Sequence, residues 1–413
     1  MAKTSNKYKK LLDAEKMEKR AQVHSFHRYF GKLIPAIPRF AIKSFTVEGD
    51  LVLDPFCGSG TTLVESKMLN RNSVGIDLNP LSAIISKAKT TGLDYEKTLK
   101  MMNIIISNVK NEKDDKHKNL IPFCINMEHW FRSEVIKDLA LLKNEIKTNT
   151  NGNLKNFYLA CFSAMIRDVS NADPRHIFPG YSKRMRRIDA EEGRVIDVLN
   201  KFEKVVIKRV QSLKNNINGN HSLTRIYTGS ANDILNNIRN VKLVVTNPPY
   251  ISSIRYLETS KLEMYWLEIL KSQKDYFEID KNIVGTERFY SKDYKDVQRT
   301  NYSKINKLIK QIYDDGNFKM SKVVSKYFND MESIFEGLYS ALDKNAHMVF
   351  KISDSMVRKV NIPTHSFFIE IAKSKKFKLV SKFKDKIESR SLLTKRNYYS
   401  GMMSHDWILI FKK

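Results

Sequence analysis

Two hydrophobic spacings alternate along this 413-residue chain and divide it into recognisable elements. In LVLDPFCGSGTTLVESKMLNRNSVGIDLNPLSAIISKAK, which begins at Leu51, a short apolar run ends on Asp54 and a glycine turn follows. Next come an amphipathic helix, a second apolar run ending on Asp77, and another helix from about Pro80. Strand, helix and strand in that order predict the first βαβ unit of a doubly wound sheet. The same alternation resumes far downstream. RIYTGSANDIL reads as a strand and turn, VKLVVTNPPY as a strand, FNDMESIFEGLYSALDK as a helix and HMVFKISD as a strand. A helix near 365–375 and the strands FKLVSKFKD and DWILIFKK close the pattern, the last two as an antiparallel hairpin.

Between these blocks the spacing changes. Residues 1–22 mix Lys, Glu and apolar positions with helical spacing and predict an exposed basic helix. Prolines 35 and 38 precede a short helical pattern that stops before Glu48-Gly49-Asp50. From 92 to 222 the pattern is mostly helical, with HWFRSEVIKDLALLKNEI and NFYLACFSAMIRDV as amphipathic helices and SNADPRHIFPGYSKRMRR as a loop. That is too long for a simple crossover, so an inserted helical subdomain is expected. SSIRYLETSKLEMYWLEIL reads as helical, and Trp266 falls at helical spacing with Leu262 and Ile269, a core position. The Lys- and Tyr-rich stretch 272–325 reads as a second excursion from the sheet. The expected organisation is a basic extension over 1–24, a catalytic domain over 25–91 and 223–413, and the insertion over 92–222. The fold class is α/β, with a mostly parallel sheet.

Composition narrows the partners. Lys plus Arg number 72 against 45 Asp plus Glu, a net charge of +27, as expected of a nucleic-acid binder; a generally basic proteome is the alternative. Cys57, Cys124 and Cys161 form no CxxC pair and have no His at ligand spacing, so no metal site or disulfide framework is expected. Without a signal-peptide core or a run of 18 apolar residues, a soluble cytoplasmic protein off the membrane is expected.

The glycines at 58 and 60 let a ligand approach the backbone at a helix N-terminus. Asp77, 17 residues after Gly60, can accept both ribose hydroxyls of an adenosine. A phosphate loop would need Lys where Thr61 stands, and a dinucleotide loop would need Gly where Leu63 stands. S-adenosylmethionine, an adenosine without a pyrophosphate, fits best.

On these residues the chain resembles the S-adenosylmethionine-dependent DNA amino-methyltransferases of the N6-adenine and N4-cytosine family. DPFCGSGTT resembles their motif I and TNPPY their motif IV, while HRYFGKLIPAIPRF is similar to the segment that closes over the methionine end of the cofactor. SSIRYLETSKLEMYWL and IESRSLLTKRNYYSGMMSHDWILIFKK are similar to bacterial site-specific members. The resemblance covers about 25–90 and 225–413. It implies a Rossmann-like class I methyltransferase sheet and a cofactor site of Lys32, Asp54, Pro55, Phe56, Gly58, Gly60, Thr61 and Asp77. It also implies double-stranded DNA as partner and a modification role beside a restriction endonuclease. Asp233 stands near where the family often has an acid contacting the cofactor adenine, and either takes that role or caps the next helix. Asp54 acts either on the methionine ammonium region or structurally.

The tetrapeptide Asn247-Pro248-Pro249-Tyr250 suits a particular chemistry. An exocyclic amine is a poor nucleophile because its lone pair is delocalised into the ring. The Asn247 side-chain oxygen and the Pro248 carbonyl can accept its two hydrogens, aimed by the two proline φ angles, and Tyr250 can stack on the base. The base must leave the duplex to arrive there. Cys57 lies in the cofactor loop and reads as a packing residue. In the family resembled, Asn at this position is commoner in adenine enzymes and Ser in cytosine N4 enzymes, so the resemblance slightly favours adenine N6 over cytosine N4, and guanine N2 in RNA is the alternative. Lys183, Arg184, Arg186 and Arg187 suit phosphates, Arg175, His176 and Tyr181 suit bases, and 272–325 interleaves basic and aromatic residues. Met402 and Met403 are expected to pack near the terminal hairpin.

Overall fold

The computed structural model describes residues 2–112, 115–251, 255–387 and 405–413. Its strands are β1 (Leu51–Asp54), β2 (Asn72–Asp77), β3 (Thr224–Thr228), β4 (Val241–Thr246), β5 (Leu342–Ile352), β6 (Ser355–Val357), β7 (Val360–Ile362), β8 (Lys378–Lys386) and β9 (His405–Lys412). Seven of them form one sheet in the order β3-β2-β1-β4-β5-β9-β8. The first five are mutually parallel, and β9 pairs antiparallel with both β5 and β8. The final strand is therefore interior to the sheet, where the expected hairpin would have allowed it to be an edge. Its ILIF run, buried on both faces, is the sequence of an interior strand. The hairpin of β6 and β7 stands apart and has no counterpart in the expected elements.

Strand alternation feeds two cores. Leu53, Val244, Met348, Phe350, Leu409 and Phe411 face the long helix Phe318–Ala341 and the helix Thr364–Ser374. Their neighbours Val52, Leu243, Val245, Val349, Ile408 and Ile410 face the helix Ala36–Phe45 and Leu12 of the N-terminal helix Ala2–Met17. Period two thus splits each strand between two helical layers. A third core joins the helices between β2 and β3, chiefly Tyr95–Asn111, Ser133–Asn149, Gly152–Val169 and Val198–Asn216. That core also takes in Val64 and Ala88 from the helices Thr61–Met68 and Pro80–Thr90. Trp266 is buried there against Phe131 and Phe162, with ring centroids 5.5 and 6.3 Å away.

Three local expectations are corrected. SKRMRR is helical, not loop: Ser182 accepts a hydrogen bond from the Met185 N–H and caps the helix Lys183–Glu191. After the tetrapeptide the long helix contracts to a 3-10 turn at Leu257–Ser260 and the helix Lys261–Trp266. The 272–325 stretch holds the helices Gln273–Asp280 and Ser303–Asp314, the second burying Ile305, Ile309 and Ile312 along one face, and the start of the long helix Phe318–Ala341. Met402, Met403, the start of SSIRYLETS and most of the segment before β9 lie outside the described residues.

Candidate active site

Strand order reverses between β1 and β4, and a crevice opens at the carboxyl ends of parallel strands at such a point. A solvent-open cleft of about 920 Å³ lies there. Its walls include Lys32, Asp54, Pro55, Phe56, Gly58, Thr61 and Asp77 from the first half of the chain and Asn247 and Pro249 from the second. Strands pairing across more than 180 residues of sequence bring these halves together.

The glycine loop is tightly enclosed. Gly58 and Gly60 have φ of +49° and +76°, and Gly60 caps the helix Thr61–Met68. A Cβ on Gly58 would stand 3.0 Å from the Tyr29 ring, and one on Gly60 would stand 2.7 Å from Ser86 Oγ. Asp77 holds the loop from the far side: Oδ2 accepts the Gly58 N–H at 2.9 Å and Oδ1 accepts the Asn79 N–H at 2.8 Å. Burial pushes the Asp77 carboxyl up, and those two donors work against it. Gly60 and Asp77 thus act on one turn, although Gly60 itself does not line the cleft.

Asp54 sits between the two motifs. Thr62 and Thr246 hydroxyls each donate to it at 2.7 Å, and the Phe56 N–H donates at 3.1 Å. Burial pushes this carboxyl up to about 6 despite those bonds. Its partners are the helix after β1 and the end of β4, so the contacts seen are structural ones. Cys57 is buried beside Gly75 and its thiol is pushed far up by burial, which suits the packing role.

Lys32 lines the cleft and donates to the backbone carbonyls of His24 (3.3 Å) and His27 (2.5 Å). Burial lowers its amine to about 8. Asp233 does not line the cleft, and the cap of the short helix Ala231–Ile234 is Ser230, whose hydroxyl accepts the Asn232 N–H at 3.3 Å. Gly229 and Ser230 occupy the wall instead.

At the other lip, Asn247 Nδ2 donates to the Gly31 carbonyl at 3.1 Å, and the Tyr250 hydroxyl donates to Asn247 Oδ1 at 2.9 Å. Pro248 is buried and Pro249 faces the cleft. Sequence reasoning missed Tyr29, Ser59, Tyr256 and Asn282, all of which line the cleft. Tyr29 falls within HRYFGKLIPAIPRF, whereas Asn282 comes from the 272–325 excursion, which was expected to contact nucleic acid and not to wall this cleft. Ser59 is notable because its Oγ is buried without a partner among the described residues.

The residues proposed for nucleic acid lie elsewhere. Lys183, Arg184, Arg186 and Arg187 are exposed around the buried anchor Met185. Arg184 approaches Asp173 at 3.8 Å, Arg187 approaches Glu191 at 3.7 Å, and Arg186 lies 5.3 Å from the Tyr181 ring centre. Arg175 is bound to Asp173, whose carboxyl is held far below the usual range chiefly by that guanidinium, and Tyr181 donates to Asp189. His176 gives its carbonyl to Arg167. This loop reaches the cleft rim through Arg28, beside Tyr29, which donates to the Pro174 carbonyl at 2.5 Å.

A doubly wound sheet with an antiparallel penultimate strand, a glycine loop pinned by an acid on β2 and an Asn-Pro-Pro-Tyr turn on β4 defines a class I methyltransferase. A family model described as DNA methylase matches residues 2–88. Type II methyltransferase M.MvaI of Kocuria varians is 25% identical over 92% of this chain and 88% of its own length. Type II methyltransferase M.BsoBI of Geobacillus stearothermophilus is 22% identical over 87% and 79%. Among solved structures, an rRNA methyltransferase from Streptomyces viridochromogenes aligns at 9% identity over 97% of this chain and 92% of its own, with a TM-score of 0.31, too low to carry weight. These matches support an N6-adenine or N4-cytosine DNA methyltransferase, and methyltransferases of that family use S-adenosylmethionine as methyl donor. Among the described residues, no helix is long and apolar enough to cross a membrane and no cluster of His, Cys, Asp or Glu is placed to hold a metal ion.

Proposed function

We propose that this chain methylates the exocyclic amino group of a base flipped out of double-stranded DNA, at a specific site, with adenine N6 favoured over cytosine N4. The observation carrying the reading is that Asn247 and Pro249 share one cleft with Gly58 and Asp77. Similarity along most of the chain to Type II methyltransferases supports a modification role beside a cognate restriction endonuclease. The RNA alternative is not favoured, since the matching family model is that of a DNA methylase.

The cleft suits S-adenosylmethionine: Asp77 lines it and would accept the ribose hydroxyls of the adenosine, a Cβ on Gly58 would crowd Tyr29 at 3.0 Å, and Ser59 Oγ has no partner among the described residues. Asp54, Pro55, Phe56, Thr61 and Lys32 would complete its wall. When bound, the cofactor supplies a methyl group activated by a sulfonium. The Asn247 side-chain oxygen and the Pro248 carbonyl take the two amine hydrogens and draw the nitrogen toward a tetrahedral geometry, so that its lone pair becomes available. Tyr250 stacks on the ring, and positioning is the main catalytic device. Lys183, Arg184, Arg186 and Arg187 contact phosphates, while the excursion around Asn282 walls the cavity the base enters.

The test is to express the protein in a host lacking DNA methylation and sequence its DNA by a method that reports modified bases in context. A single motif carrying one N6-methyladenine is the expected result. Unmodified DNA from cells that accumulate folded protein would reject the reading, and N4-methylcytosine would correct the base.

A further inference from the structure

A chain of polar contacts runs from the interior of the sheet to the tip of the Asn-Pro-Pro-Tyr turn. Lys351 lies near the end of β5, 8% exposed, and pairs at 2.5 Å with Asp406 at the start of β9, 6% exposed. The Ser353 hydroxyl donates to the same carboxylate. From this anchor Lys351 Nζ donates to the Tyr250 hydroxyl at 3.2 Å, with its ammonium 5.9 Å from that ring's centre. Tyr250 donates to Asn247 Oδ1 and Asn247 Nδ2 donates to the Gly31 carbonyl, at 2.9 and 3.1 Å.

The direction of every bond in this chain follows from its two ends. An ammonium has three donors and no acceptor, and a backbone carbonyl has no donor. Burial works against a charged Lys351, but the neighbouring Tyr250 and Asp406 outweigh it and hold its proton firmly. The Tyr250 oxygen accepts from Lys351, and its own proton is directed to Asn247 Oδ1. Were the Asn247 amide reversed, the Tyr250 hydroxyl would have to accept from both Lys351 and the NH2 and its own proton would lose its Asn247 acceptor, while the amide oxygen would meet the Gly31 carbonyl oxygen. Both ends oppose that state. Gly285 adds a backstop, since a Cβ there would stand 2.9 Å from the Tyr250 carbonyl oxygen.

We infer that Lys351 is a positioning residue: acting through the Tyr250 hydroxyl, it sets the Asn247 amide so that its oxygen, not its NH2, is presented to the target amine. The inference rests on the function proposed above. One lone pair of Oδ1 is taken by Tyr250 and the other is left for the base. Lys351 touches no substrate, and its effect is exerted through the orientation of the group that does.

The test measures transfer of labelled methyl from S-adenosylmethionine to unmethylated bacterial DNA by wild type, Lys351→Met, Tyr250→Phe and the pair combined. A second form, Lys351→Met with Asp406→Asn, removes the unpaired buried carboxylate, and melting curves check that both fold. For both Lys351 forms kcat should fall about 100-fold with KM for cofactor and DNA within about threefold, the pattern of lost orientation without lost binding. In the Tyr250→Phe background, which keeps the ring and deletes the relay, adding Lys351→Met should cost less than about threefold. An equal loss in both backgrounds, or a loss carried only by KM, overturns the inference. Wild type that labels DNA while folded Lys351 variants match it overturns the inference and leaves the function standing. Wild type that binds S-adenosylmethionine but labels no DNA overturns both.

Discussion

Thr246 Oγ1 donates to Asp54 Oδ1 across 2.7 Å, joining the last residue of β4 to the last residue of β1. With Thr62 on the other oxygen, one buried carboxylate couples the cofactor loop, its helix and the strand that carries Asn247. The two motifs are thereby held in register by a group with a pKa of about 6.

That value has a sign. Asp54 titrates near 6 in the folded state against an ordinary 3.8. Between those pH values the folded protein keeps a proton that the unfolded chain has released, so this group's contribution to stability falls as pH rises from about 4 to 6 and then levels off. The melting temperature of wild type should drop relative to Asp54→Asn across that window, by the equivalent of about 2–3 kcal/mol. Parallel curves for the two proteins would contradict the assignment.

Asp77→Ala removes a carboxylate that pins the Gly58 and Asn79 amides and that is proposed to accept the ribose hydroxyls. Titration calorimetry with S-adenosylmethionine should show affinity at least about tenfold weaker, since hydrogen bonds to a charged group contribute about 1.5–3 kcal/mol each. Unchanged affinity would remove Asp77 from the site.

Asn247→Ala should lower methyl transfer by about 100-fold or more while S-adenosylmethionine binding stays within a few-fold, as for loss of a preorganised polar group aimed at the reacting centre. Loss of cofactor binding with that variant would assign Asn247 to the wrong role.

Gly60→Ala should destabilise the protein by about 1–2 kcal/mol from its left-handed backbone alone. It should also weaken the cofactor, because the new Cβ would meet Ser86 Oγ at 2.7 Å and Ser86 Cβ at 3.0 Å. Ser86→Ala should restore only part of the loss, since the Ser86 Cβ remains. Full recovery in melting and binding experiments would show that the hydroxyl alone is the obstacle.

DNA affinity should fall steeply with salt, given a net charge of +27. Replacing Arg186 and Arg187 by Ala should flatten the logarithmic slope by about 0.9 for each phosphate that these side chains neutralise. A slope unchanged in the double variant would move phosphate recognition away from this helix.

Much of the cofactor half could be read locally. The strand, glycine turn, helix and second strand are encoded within residues 51–90, where apolar period and turn residues agree, and Asp77 follows from the same unit. Asn247-Pro248-Pro249-Tyr250 is equally local, because two prolines dictate backbone angles whatever surrounds them. The misread elements had competing signals. Pro174, Gly180 and four basic residues made SKRMRR look like loop, although Ser182 was in place to cap a helix. In 303–314 the Lys and Asn content obscured the spacing of Ile305, Ile309 and Ile312.

By itself the sequence determined the α/β class, the glycine loop with its acid, and a turn suited to an amine, since each depends on bonding and sterics within a few neighbouring residues. Only the tertiary structure decided that Tyr29 closes over Gly58, that Ser230 rather than Asp233 meets the cleft, and that Lys351 grips Tyr250 from 101 residues away. Those relationships arise from strand order and from which side of the sheet a residue faces. Both are set by how the apolar surfaces of distant segments are buried together, which no local pattern in this chain records.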